Sequence, residues 1–403
     1  MQDLNTLLLV THVHVRPGPN GLQIDDQTAA GLRQWCRHFD RVSFYGILTQ
    51  GPSTSAWVDT NEGILGQKLR LFGLPQGYGP AAMLRALPAV RRQFRSAIPQ
   101  HRHLCFTLGT VLGDWPFVAA LEAIRQKRRY SAWIDRVEPP IIRSRAAGSP
   151  LKRLAAELWL PPAQGLIRHA LRQSAVALLQ GGDTFEYYAR SAPDPYCTYD
   201  IHTHADEQID AASLAAKQAR ILSGAPLEII YPGRATAMKG PFEWLETLQA
   251  LHRADVPFRA TWIGDGPDLP ALRDRAKQLG LGDMVTFPGF EGRRDVLLAR
   301  LKAADLLLFC HKTPESARCL IEALVCGCPI VGYGSAYPRG LVAQHGGGRF
   351  TPQGDPKALA QSVLSLHRDR AGLSALVGAA AQSGRLYTED AVYAHRAELM
   401  QRA

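Results

Sequence analysis

The sequence predicts an α/β protein of two doubly wound, Rossmann-like lobes facing across a cleft, and three observations predict it. Short runs rich in Val, Ile, Leu and aromatic residues alternate with segments of helical period along the whole chain. The 403 residues exceed what one hydrophobic core comfortably holds and suit two ordinary domains. A polar stretch from Gly181 to Gly224, with Pro193 and Pro195 inside it and Ala225-Pro226 after it, then separates the halves.

In the first half the apolar runs place strands at residues 6–11, 42–48, 69–74, 103–108, 131–135 and 175–180. The second half restarts at Leu227-Glu-Ile-Ile-Tyr-Pro-Gly233, followed by strands at 258–263, 284–287, 305–310, 329–333 and 348–350. Amphipathic helices fill the gaps, among them 241–253 and 294–304. The expected domains are an amino-terminal lobe at 1–205, a linker at 206–226 and a carboxyl-terminal lobe at 227–385. A last helix at 386–403 is expected to pack back on the first lobe. Sheets of this kind bind ligands outside the carboxyl ends of their strands, which directs attention to the loops there.

Composition narrows the function. Hydrophobic residues at 46% and charged residues at 20% describe a globular protein. No apolar run approaches the roughly 20 residues of a membrane-spanning helix, and the first residues lack the basic region of a secretory signal. Seven cysteines without a CxxC pair argue against a zinc site or a disulfide framework, and for reduced thiols and a cytoplasmic setting. The net charge of +10 is concentrated, with 16 Lys and Arg against 5 Asp and Glu between Arg85 and Ala175. This asymmetry fits an acidic membrane surface at the inner membrane face or a phosphorylated lipid acceptor; a solvated basic surface is the competing account. No nucleic-acid-binding pattern accompanies the charge, so nucleic acid is not expected as a partner.

The motifs that carry chemistry sit on strand-to-helix loops. Arg234 follows a strand and Gly233, and Lys239 precedes Gly240 at the mouth of the next helix. Two cations so placed can neutralise a departing diphosphate, and flanking glycines let backbone and ligand approach closely; solvated loop cations are the alternative. Gly264-Asp-Gly266-Pro267 ends the next strand but lacks the third glycine of a dinucleotide fingerprint. Gly289 and Phe290 offer backbone donors and an apolar edge for a base. Glu322 is a lone acid in the apolar helix starting near Leu320, able to take both ribose hydroxyls or, on the other account, to pair with the helix dipole. Glu315 could grip hydroxyls of a sugar, and the backbone N–H groups of Ser316, Ala317, Arg318 and Cys319 face phosphate from the helix start. In the first lobe, His12 and His14 follow the first strand and Asp135 ends another; a structural histidine and a surface pair with Arg136 are their plainer meanings. Between Pro139 and Arg172, basic residues alternate with Leu154, Leu158, Trp159, Leu160, Leu166 and Ile167, as in a membrane-surface element or an ordinary packed helix.

Together these residues resemble the family 4 glycosyltransferases of the GT-B fold, retaining enzymes of bacterial polysaccharide, lipopolysaccharide and mannosyl transfer. The resemblance is carried by Gly233-Arg234, Lys239-Gly240, Gly264-Asp-Gly266-Pro267, Val285-Thr-Phe-Pro-Gly289-Phe290 and the stretch from Glu315 through Glu322 to Val331. It covers residues 227–380; the first lobe matches by architecture. Two departures stand out. Glu315 and Glu322 enclose six residues where the family has seven, with Arg318 between them. The loop Arg16-Pro-Gly18-Pro-Asn-Gly21-Leu-Gln23 keeps glycines but lacks the family's adjacent pair.

The resemblance implies transfer of a sugar from a nucleoside diphosphate sugar, with retention, to a glycan or lipid-linked acceptor. It assigns Arg234, Lys239 and Glu315 to catalysis, and Gly21, Gly233, Gly264, Gly266, Phe290, Ser316, Ala317, Arg318, Cys319 and Glu322 to the donor. His12, His14 and Asp135 fall on the acceptor side. No DxD triplet occurs in the chain, so neither a metal nor a cofactor beyond the donor is expected. The rivals are a sugar-nucleotide epimerase or a phosphorylase of the same fold, and a silent sugar-nucleotide-binding partner.

Overall fold

The computed structural model describes residues 4–51, 56–77, 79–199, 201, 203–313 and 316–402. Residues 1–202 with 389–403 form one compact unit and residues 203–388 a second.

The first unit is built on the strands β1 (Thr6–Gly18), β2 (Gly21–Asp25), β3 (Arg41–Leu48), β4 (Trp57–Val58), β5 (Leu69–Leu74), β6 (His103–Thr107), β7 (Ser131–Ile134), β8 (Val176–Gln180) and β9 (Pro195–Thr198). Seven of them run parallel in the order β5-β3-β1-β6-β7-β8-β9. β1 carries the unbroken apolar run Leu7-Leu8-Leu9-Val10 because both faces of a parallel sheet are covered. Leu8 and Val10 join a core with Val90, Phe94, Trp115 and Ile167. Leu7 and Leu9 face the opposite core with Leu32, Trp35, Tyr393 and Met400.

Three elements differ from the sequence reading. β1 runs on to Gly18 past a register shift between Val10 and His14, and turns back into antiparallel β2 with Gly18 opposite Gly21. The segment read as a glycine loop is thus a hairpin, tied by Arg16 Nε donating to Gln23 Oε1 at 2.8 Å. β9 lies inside the stretch read as a break; it starts at Pro195 on the sheet edge, where a missing N–H costs no ladder bond.

The final helix, Glu389–Arg402, belongs to the first unit. Its Arg396 is buried with the guanidinium 3.8 Å from the Trp133 ring centre and near Trp35 and Tyr393, a cation–π setting.

The second unit has β10 (Leu227–Pro232), β11 (Phe258–Ile263), β12 (Val285–Gly289), β13 (Leu306–Phe309), β14 (Ile330–Tyr333) and β15 (Gly348–Thr351). All are parallel, in the order β12-β11-β10-β13-β14-β15, so the order reverses between β10 and β13. Residues 206–226, read as linker, belong to this unit and carry the helix Ala211–Leu222. Lys217 of that helix is buried and donates to the Gly327 carbonyl at 2.9 Å, and its apolar stripe includes the buried Ile221. Alanines among polar residues hide such a stripe from a reading by hydrophobicity. No helix among the described residues is long and apolar enough to cross a membrane.

At the carboxyl edge the backbone is packed too closely for side chains. A Cβ on Gly264 would stand 2.2 Å from the Gly233 carbonyl oxygen, and one on Gly266 2.2 Å from that of Ala235. Both glycines also have positive φ, 145° and 154°. Gly264→Ala or Gly266→Ala should each destabilise the unit by about 1–3 kcal/mol. Gly282→Ala, with open space around it, should leave the unfolding midpoint within about 0.5 kcal/mol of wild type; calorimetry of the three variants checks this.

Candidate functional site

Backbone hydrogen bonds staple the loops after β10, β11 and β12 into one surface. Gly233 N donates to Ile263 O at 2.8 Å, Ala235 N to Asp265 O at 2.9 Å, and Gly264 N to Gly289 O at 2.9 Å. The loop after β13 joins them through Lys312 N to Met238 O at 2.8 Å. Arg234 is exposed on this surface, and Lys239 ends a short 3-10 turn, Ala237–Lys239, that Gly240 closes in a left-handed conformation. A Cβ on Gly240 would strike the Cys310 carbonyl oxygen at 2.3 Å. Arg234, Lys239, Gly233, Gly264 and Gly266 therefore share the edge where β10 and β11 end, beside the switch in strand order. Phe290 projects from the end of β12 with 71% of its surface exposed.

His311 was not singled out from the sequence, yet it follows β13 directly and faces the same loops. Its Nε2 meets the Tyr231 hydroxyl at 2.8 Å. Burial, and then the ammonium of Lys239, holds its pKa well below the usual histidine range. The imidazole is thus neutral and Lys239 is its charged neighbour. Position alone could have found it, since the residue after a strand at the switch point is where ligands of such sheets bind.

Glu322 lies in the second turn of the helix Arg318–Val325, which starts two residues earlier than the sequence suggested, so pairing with the helix dipole is not its role. Its Oε1 accepts from Arg294 Nη1 at 2.8 Å. The same guanidinium grips Glu207 with two bonds, Nε to Oε1 at 2.6 Å and Nη2 to Oε2 at 2.8 Å. Arg294 opens the helix Arg294–Ala303 after β12, and Glu207 closes a turn whose capping box ties it to His204. Burial alone would raise the Glu207 carboxyl, but Arg294 holds it below the usual range. One cation between two carboxylates fixes Glu322 while leaving its second oxygen for a ligand. Neither partner was read from the sequence. Ala317 caps the Arg318–Val325 helix without a side-chain hydrogen bond and accepts from the Tyr337 hydroxyl at 3.4 Å. Ser316 and Cys319 are half-buried and Arg318 is exposed at this helix start. Glu315 lies outside the described residues.

In the first unit a second polar cluster forms where β6 and β7 end beside the register shift of β1, at that sheet's own reversal of order. His12 Nε2 is 3.2 Å from Asp114 Oδ1, and Asp114 is fully buried. The same carboxylate accepts from Phe117 N at 2.8 Å, capping the helix Trp115–Arg125, and from Gly109 N at 2.9 Å. Burial alone would lower the His12 pKa; Asp114 outweighs it and holds it above the usual range. Asp135 is half-buried in the same cluster, and burial pushes its carboxyl up against the pull of Arg136 and His12. Arg136 itself pairs with buried Glu138 at 2.6 Å. His14 is exposed further along β1, and Gly21 sits across the hairpin turn with φ 122° and open space at its Cβ position. Asp114 was missed, although Asp114-Trp-Pro116 is a helix-start signal.

Comparison with known proteins shows what the second unit is similar to. Residues 215–383 match the family described as glycosyl transferases group 1. This stretch, which lies within the second unit, is similar to the members of that family. The two units have the GT-B fold: HepE of Anabaena, solved with UDP, superposes with a TM-score of 0.65 over 99% of this chain and 100% of its own at 16% identity. Among curated relatives, WcaL of Escherichia coli K12, assigned as a colanic acid biosynthesis glycosyltransferase, is 34% identical over 35% of this chain and 36% of its own length. The 2-deoxystreptamine N-acetyl-D-glucosaminyltransferase of Streptomyces fradiae is 27% identical over 52% of each chain. The alignments thus span about a third to a half of these relatives.

Two measurements probe the polar contacts of the second unit directly. A double-mutant cycle on Arg294→Met and Glu322→Gln, read by chemical denaturation, should give a coupling of about 1 kcal/mol, and none if the pair is incidental. Because folded His311 titrates below its unfolded value of about 6.5, the unfolded state binds the extra proton as pH falls. Wild type should therefore lose stability relative to His311→Gln by up to about 1.4 kcal/mol per pH unit below about 6.5, whereas a flat difference would contradict a buried neutral imidazole.

Proposed function

We propose that the protein transfers a sugar from a nucleoside diphosphate sugar, with retention of anomeric configuration, to a glycan or lipid-linked acceptor of a cell-surface polysaccharide or glycolipid. The observation that carries the reading is the pair of cations, Arg234 and Lys239, on loops that their glycines let pack against one another at the switch in strand order. As the glycosidic bond breaks, negative charge builds on the diphosphate. A planar guanidinium takes two of its oxygens at once and an ammonium takes a third, both positioned before the reaction begins. His311 beside Lys239 is held neutral by burial and by that neighbour, so it adds no proton of its own to the pair.

Glu322 binds the ribose hydroxyls with the carboxylate oxygen that Arg294 leaves free. Phe290 offers its exposed ring to the base. Glu315 is assigned to the hydroxyls of the transferred sugar, and the first turn of the Arg318–Val325 helix to the phosphate. On the acceptor side the reading uses His12, held toward its charged form by Asp114, and Asp135. The departing phosphate accepts the acceptor proton, so no separate base is required. UDP bound by the similarly folded HepE makes uridine diphosphate sugars the first donors to test.

Screening nucleotide sugars by thermal unfolding identifies the donor, since a ligand at 100 times its dissociation constant adds about 2.7 kcal/mol. With that donor, Arg234→Ala and Lys239→Ala should each lower kcat by about 10²–10³ without moving the unfolding midpoint of the free protein. Turnover within threefold or so of wild type in either variant would remove its assigned role.

A further inference from the structure

The helix Pro150–Gln173 in the first unit has two apolar stripes and only one of them is used. Ala156, Leu160, Ala163, Ile167, Ala170 and Leu171 are buried and hold the helix to the sheet. On the other side Leu151, Leu154 and Leu158, spaced to share one face, expose 78%, 59% and 69% of their surface, and Leu166 continues the row at 42%. Exposed leucines are unremarkable singly; four in register along one helix make a patch that needs a partner. Lys152 and Arg153 stand exposed beside them. Residues 139–175 carry six Lys and Arg against one carboxylate, Glu157, and that acid is already paired with Arg143 at 2.7 Å.

Topology places this patch. Two helices, Glu138–Ala146 and then this one, connect β7 to the adjacent parallel strand β8; this one leads straight into β8 at the amino edge, and its 24 residues are long enough to reach back past the carboxyl edge of the five-residue strand. Its first turns, with Leu151, Leu154 and Leu158, therefore lie at the carboxyl edge, the same edge at which His12, Asp114 and Asp135 gather.

We propose that this stripe is a membrane-docking surface: the leucines enter the headgroup boundary of an anionic leaflet while Lys152 and Arg153 meet its phosphates. An amphipathic helix with leucine on one side and cations flanking it suits that interface. Charge complementarity selects an anionic lipid surface over a second copy of this chain, whose matching stripe would bring like charges together. Resting on the transferase reading, the inference narrows its acceptor to one held at a lipid surface, presented to the polar cluster of the first unit.

Co-sedimentation with vesicles of phosphatidylcholine alone, or mixed with phosphatidylglycerol, tests it on the full chain. Wild type should partition onto the mixed vesicles and release with salt. Leu154→Ala and Leu158→Ala should each weaken partitioning about tenfold, and Lys152→Gln with Arg153→Gln about thirtyfold. All are exposed positions, so unfolding midpoints should hold. Equal partitioning onto both vesicle types, variants that partition like wild type, or a leucine-dependent dimer without vesicle binding would each overturn the proposal. The nucleotide-sugar thermal shift, read on the same variants, separates the two claims. Docking without any donor shift refutes the transferase reading alone, and donor shift without docking refutes the membrane surface alone.

Discussion

The constraint on which the site depends is backbone crowding at the carboxyl edge of the second sheet. Parallel strands on either side of β10 send their connecting loops away from the same edge, and there the loops after β10, β11 and β12 hydrogen-bond to one another. Room for that contact exists only because Gly240, Gly264 and Gly266 lack a Cβ. The crowding has a chemical consequence. The loop backbone that carries Arg234 and Lys239 is thereby held in a fixed frame, and on the proposed reading an arriving diphosphate meets amide groups that need no reorganisation. Loops free to move would spend binding energy ordering themselves first.

Electrostatics around that frame separates charges that could interfere with one another. Arg294 ties Glu322 to Glu207 and so balances two carboxylates with one cation. His311, kept neutral by burial and by Lys239, contributes a polar edge without a second proton to titrate. In the first unit the arrangement is inverted, since Asp114 favours the charged form of His12 and burial favours the neutral form of Asp135. Both shifts are upward, and each favours the protonated form, charged for His12 and neutral for Asp135.

Much of the second unit was legible because buried parallel strands write themselves as apolar runs. The expected strand at 258–263 matches Phe258–Ile263, and that at 329–333 differs from Ile330–Tyr333 by one residue. The first unit was less legible where local patterns mislead. Pro17, Gly18 and Gly21 signal a loop, yet they turn a hairpin because the long β1 carries on past its bulge. β4 has two residues and β9 begins with proline, so neither announces itself. At the site, residues on one loop were readable: Arg234 with Gly233, and Lys239 with Gly240. The partners of Glu322 were not, because Arg294 lies 28 residues away and Glu207 lies a further 87 from Arg294, and only the fold brings them together. Cysteine chemistry followed composition more simply: all seven thiols are free, and Cys36, Cys105, Cys310, Cys326 and Cys328 are buried among apolar neighbours that push their pKa up.

The central claim is that Arg234 and Lys239 carry the charge of the diphosphate as it leaves. A crystal structure of the protein with a bound nucleoside diphosphate tests it most directly. The account predicts an Arg234 guanidinium nitrogen and the Lys239 Nζ each within about 2.7–3.2 Å of a diphosphate oxygen. A diphosphate bound with both side chains more than about 8 Å away, the distance over which salt screens exposed charges, would contradict it.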